Sequence, residues 1–129
     1  MLKTDLGSSA FDVFCTANFL NFMPWQAAID YLLGVGTSEI AKHNRTLVEE
    51  LVSGINGSKF CLISPSADMS QSAIVVVSHI RKERNPEVHA ALAKAGIDVA
   101  LRGGNLRFSL HLYNTLDDVA RAIAILCSV

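Results

Sequence analysis

Apolar positions recur along the chain with two different periods, and the change between them divides it into eight segments. From about Phe19 or Pro24 to Leu33 the spacing is helical, with Ala28, Tyr31 and Leu32 on one face and Gly34 as a natural stop. Pro24 suits such a helix only in its opening turn, where a missing N–H has no partner to lose. A second helix is predicted from Thr37, a candidate N-cap, to about Ser53, with Ile40, Leu47, Val48, Leu51 and Val52 aligned. Glu39 complements its positive end, and Gly54 and then Asn56-Gly57 end it. A short glycine link between the two gives a helical hairpin or one bent helix.

The period then shortens. Residues 59–63 and 73–78 read as strands, the second apolar enough to be central, with a polar hairpin loop over 65–72. Asn85, Pro86 and Glu87 form a strong helix start, with a cap, a proline in the first turn and an acid behind it. Val88, Leu92 and Ala95 face inward, and Gly96 ends that helix. Residues 97–101 and 106–110 are two further strands around a turn at Gly103-Gly104-Asn105. Thr115 and Asp118 have the spacing of a capping box, opening a last helix that carries Leu116, Val119, Ile123 and Leu126. This order predicts an α/β (α+β) two-layer sandwich: a mainly antiparallel four-stranded sheet with helices packed on it, preceded by the helical hairpin. Residues 1–10, polar and small, read as a flexible lead-in, and 11–129 as one small domain.

Composition narrows the function classes. Half of the 129 residues are hydrophobic, high for a soluble domain, which predicts a face covered by a second domain or another subunit, and homo-oligomerisation through that surface. No window approaches the roughly 18 uninterrupted apolar residues of a membrane span, and the polar start carries no secretion signal. Net charge is −1, and the one basic cluster, Arg81-Lys82-Glu83-Arg84, reads as a solvated loop, so no nucleic-acid footprint is present. Cys15, Cys61 and Cys127 are far apart in apolar surroundings, as buried free thiols in a reducing, cytoplasmic compartment would be. Neither they nor the four histidines have metal-ligand spacing, so no metal site is expected.

Candidate chemistry is sparse. No Gly-x-Ser-x-Gly elbow occurs, and Gly103-Gly104 precedes a strand rather than a phosphate-binding helix. His43 and His89 read as solvated mid-helix residues; His111, two residues before Tyr113, is the histidine to follow. On the last strand Leu106, Phe108 and Leu110 face one way, while Arg107 and Ser109 face the other. An arginine so placed is either a surface ion-pair residue or an anion hook.

Four blocks stand in order: Phe11-Asp12-Val13-Phe14-Cys15-Thr16-Ala17-Asn18-Phe19, the helix at 28–36 with the following Ile40-Ala41-x-His43-Asn44-Arg45-x-Leu47, the pair 86–92 and 96–99, and Arg107-x-Ser109-x-x-x-Tyr113-Asn114-Thr115. Together they resemble class V aminotransferases and cysteine desulfurases. The resemblance implies the small C-terminal domain of a fold-type I enzyme that uses pyridoxal phosphate (PLP). It implies that Arg107 grips the substrate α-carboxylate, that Arg102 and His111 line the mouth of the active site, and that Thr16 lies near the cofactor phosphate across a dimer. Cys15 and Ala17 replace the family's usual glycine and proline beside Thr16. The chain passes from Arg102 through Gly103-Gly104-Asn105 to Leu106 without the desulfurase His-His-Cys loop, so the shorter turn looks more like the aminotransferase, epimerase or lyase branches. None of the lysines stands in the context of the Schiff-base lysine, which belongs to the large domain. The expectation is therefore a truncated, inactive fragment that holds no PLP alone and works with a large PLP-binding domain or another subunit. The alternative is a stand-alone α/β binding or oligomerisation module.

Overall fold

The computed structural model describes residues 19–65 and 72–129, omitting the side chains of Phe19 and Asn21. The chain divides into two compact units, one ending at Val35 and one comprising Gly36–Val129.

In the first unit, α1 spans Phe19–Val35. Pro24 lies inside it rather than in its opening turn, so the bond its N–H would make to the Leu20 carbonyl is absent. Apolar residues occupy all sides of α1: Leu20, Met23, Trp25 and Leu33 are each more than 60% exposed. Phe22 and Trp25 meet edge to face, 6.1 Å between centroids.

The second unit is the sandwich. Its elements are α2 (Thr37–Ile55), β1 (Phe60–Leu62), β2 (Ile74–His79), α3 (Asn85–Lys94), β3 (Ala100–Arg102), β4 (Asn105–Ser109) and α4 (Leu116–Ser128). The sheet order is β1-β2-β4-β3 and every ladder is antiparallel, which agrees with the expected α+β sandwich. Helices bury one face of it. Val75, Val77, Leu106 and Phe108 from the central strands meet Leu47 and Leu51 of α2, Val88 and Leu92 of α3, and Val119 and Leu126 of α4. This contiguous apolar core accounts for the alternation in β4, where Leu106 and Phe108 are buried and Asn105, Arg107 and Ser109 are not.

Element ends show which local signals prevailed. α4 is capped as expected: the Asp118 N–H donates to Thr115 Oγ1 at 3.2 Å, and the Thr115 N–H to Asp118 Oδ2 at 2.9 Å. At the end of α3, Gly96 has φ +74°; its N–H donates to the Ala93 carbonyl and that of Ile97 to Leu92, a Schellman ending. Thr37 is not a cap. Gly36, at φ +92°, takes that place without a side-chain bond, and Thr37 is already helical. α2 runs through Gly54 to Ile55 and is capped by Asn56, the second of the two expected stops; the missing side chain of Gly54 admits Ile123 of α4, which a Cβ there would strike.

Two other expectations are corrected. Cys61 and Cys127 are free but exposed: Cys61 stands on the uncovered side of β1, its thiol donating to the Ser78 carbonyl at 3.3 Å, and Cys127 points away from the core side of α4. Asn85 is not the cap of α3; Arg84 is, at the end of a 3-10 turn over Lys82–Arg84. Cys15 and most of the 65–72 loop lie outside the described residues.

Candidate functional site

The sheet face opposite the helices holds the candidate site. Residues directly paired across antiparallel strands share a face. The register therefore sets Arg107, on central strand β4, between Val76 of β2 and Ala100 of β3. Ser109 opposite Ile74 and Asn105 opposite Arg102 continue the same side. Among these strand residues there is no lysine and no acid.

Arg107 is half-buried, and its Nε is buried with no hydrogen-bond partner among the described residues. The ion pairs among the described residues are Arg84–Glu87 at 3.0 Å and Arg121–Asp118 at 3.9 Å, so neither Arg107 nor Arg102 has a carboxylate. Leaving a buried donor of a charged group unmade costs more than an average hydrogen bond returns. Arg107 is thus flanked by Val76 and Ala100, with an Nε–H that no described residue engages.

The β3–β4 hairpin determines where this arginine sits. Gly103 and Gly104 have φ +57° and +76°, the two positive angles of a type I′ turn, which glycine adopts without strain. Asn85, fully buried, buckles the turn to the rest of the fold. Its Nδ2 donates to the Gly104 carbonyl at 2.7 Å and to Ser78 Oγ at 2.9 Å, while Oδ1 accepts from the His79 N–H at 2.9 Å. One side chain therefore joins the end of β2, the start of α3 and the turn before Arg107. The His79 ring, 2% exposed, meets the Arg81 N–H at Nδ1 at 2.9 Å and packs edge to face on Phe60.

At the other end of β4, a second set of bonds fixes the chain. The His43 ring reaches the Asn114 carbonyl from Nε2 at 2.9 Å, and Asn114 Oδ1 accepts from the His111 N–H at 2.9 Å. His111 is exposed and stacked on Tyr113, centroids 4.6 Å apart. His89 likewise bonds the Val99 carbonyl at 2.8 Å, ahead of β3. His43 and His89 are thus ties to loops rather than merely solvated residues.

Of the residues that the sequence grouped, the structure brings Arg102 beside Arg107 and leaves His111 beyond the far end of β4. Arg102 lies diagonally across the β3–β4 ladder from Arg107, at the turn end of β4. His111 follows the opposite end, roughly 20 Å from Asn105 along an extended chain. Thr16 lies outside the described residues. Asn85, Ser78 and His79 were missed as a group, because Asn before Pro carries the same local signal whether it caps a helix or braces a turn. Among the described residues no cluster of His, Cys, Asp or Glu could hold a metal ion, and no helix is long and apolar enough to cross a membrane. Residues 13–122 match the family model Aminotransferase class-V. No curated protein matches the chain significantly.

Proposed function

The chain belongs to the class-V aminotransferase family, whose enzymes depend on PLP, and on that premise we propose that it forms the substrate-carboxylate side of such an enzyme. Arg107 is the hook: its planar fork takes the α-carboxylate of an amino or keto acid by two parallel hydrogen bonds. The single observation that carries this reading is the buried, unpartnered Nε of Arg107 on a sheet face without acids. Val76 and Ala100 on either side exclude water from the stem of the side chain, which strengthens the charge–charge contact at its head.

The strand residues of this face do not fit PLP itself. PLP serves as an electron sink through a lysine Schiff base and an acid at its pyridinium nitrogen, and neither residue type is on the face. Lys59, the lysine nearest β1, donates to the Val129 carbonyl. The cofactor and its lysine therefore come from a PLP-binding domain or from another subunit, and the chain alone is inactive. Arg102 and His111 flank opposite ends of β4. The test is to mix or fuse the chain with a PLP-lysine domain of the same family. Activity should appear only in the combination, and the chain alone with PLP should give no visible band from covalently bound cofactor. Such a band in the chain alone would overturn the proposal.

A second reading is favoured by α1, whose apolar side chains are exposed all round. In that reading the chain is a stand-alone oligomerisation module, and α1 is the surface through which copies associate. Activity on combination with the PLP-lysine domain decides against it.

A further inference from the structure

We infer that Asn85 is a positioning residue for the carboxylate site: through the Gly104 carbonyl it sets the direction from which Arg107 reaches the acid. The inference rests on the reading of Arg107 as the α-carboxylate hook and adds to it the residue that holds the hook in place. The surroundings of β4 leave that direction open. Leu106 and Phe108 in the core decide which face Arg107 takes, but not the plane of the peptide that enters the strand. The turn before it is Gly103-Gly104, both exposed, and glycine has the most conformations to lose. The outer neighbour β3 is an edge strand of three residues, none of them buried.

Asn85 fixes the entering peptide. That peptide joins Gly104 to Asn105, and its carbonyl accepts from Asn85 Nδ2 at 2.7 Å. The other Nδ2 proton goes to Ser78 Oγ at 2.9 Å, and Oδ1 accepts from the His79 N–H at 2.9 Å. Val77 pairs with Leu106, so Ser78 stands across from Asn105, one step further along the same ladder. One side chain thus clamps β2 to the start of β4, two positions from the pair Val76 and Arg107. Asn85 is itself 0% exposed and opens α3, so the turn is referred to a packed helix. A planar fork makes two parallel bonds to a carboxylate only from one direction, and affinity falls when its stem can swing. Without the clamp, Leu106 and Phe108 stay in the core while Arg107 samples several directions between Val76 and Ala100.

The experiment uses the full chain with 15N-labelled arginine and asparagine, at constant ionic strength. Propionate is the probe, and the Arg107 Nε–H signal reports its binding. Asn85→Ala removes the three bonds without changing charge and should weaken propionate by about tenfold. Gly54→Ala, which disturbs the crossing of α2 and α4, leaves the clamp whole and should bind within about twofold of the unaltered chain. Linkage makes the effect reciprocal: propionate should slow hydrogen exchange of the Asn85 side-chain amide and of the Asn105 N–H. That measurement needs no substitution, so it decides the question if Asn85→Ala loses its dispersed spectrum. Undiminished binding in Asn85→Ala, equal weakening in Gly54→Ala, or exchange at Asn85 indifferent to saturating propionate would overturn the inference and leave the Arg107 hook standing. If propionate does not move the Arg107 signal of the unaltered chain, the hook reading falls first, and the positioning role with it.

Discussion

Arg107 and Asn85 are both polar residues held in the body of the fold, and they differ in what they leave unmade. Asn85 uses both amide protons and its carbonyl oxygen on groups of this chain. Arg107 leaves a buried N–H idle. Opposite consequences for stability follow. Asn85→Ala strands the His79 N–H and the Gly104 carbonyl and should cost about 3 kcal/mol in urea unfolding, as buried unsatisfied groups do. Arg107→Leu removes an unpaired donor from an apolar slot and should leave stability unchanged or raise it by about 1 kcal/mol. A loss of the same size as that of Asn85→Ala would show that the fold itself uses the arginine. Only half of this contrast was legible in the sequence. Alternation in β4 placed Arg107 opposite the core, whereas the partners of Asn85 are a strand end and a turn 19 residues away, which no local pattern records.

At the scale of elements, the residues that close or join helices set their lengths. Periodicity located every helix and strand of the sandwich, because one apolar core imposes one period on each element. Boundaries moved where a tertiary contact outweighed a local stop signal. Gly54 is the clearest case: a helix breaker by propensity, it stays helical because Ile123 of α4 fills the space over it. Gly54→Ala should therefore destabilise by about 1–2 kcal/mol despite alanine's better helix propensity, and Ile123→Ala in the same chain should recover part of the loss. Measured as a double-mutant cycle, strictly additive effects would contradict the close crossing. The start of α4 makes a pH prediction. The Thr115 backbone and side-chain hydrogen bonds, assisted by Arg121 and Asn114, hold the Asp118 carboxyl below its usual range. Its charged form is favoured in the folded state, so its contribution is complete above the unfolded value of about 3.9 and is lost as pH falls through the lower folded value. Melting temperature should drop across that acid window, and Asp118→Asn should flatten the drop. An acid limb equally steep in Asp118→Asn would contradict the assignment.

For the whole molecule, one sheet face is covered by helices and the other presents Arg107, with no lysine among the strand residues beside it. Family membership was legible because four blocks of sequence keep their order, although each is short. The placement of Arg102 and His111 at opposite ends of β4 was not, because only the ladder register shows it. Exposed apolar residues all round α1 predict association: light scattering should find more than one chain per particle, and charged replacements of Leu20 and Met23 should reduce it to one. A wild-type chain that remains monomeric at high concentration would contradict that prediction. The most direct test of the central claim is the KM for the amino or keto acid after the chain is combined with a PLP-lysine domain. Arg107→Lys keeps the charge and loses the bidentate fork, so KM should rise at least about tenfold. A KM that does not move would mean that the substrate carboxylate is held elsewhere.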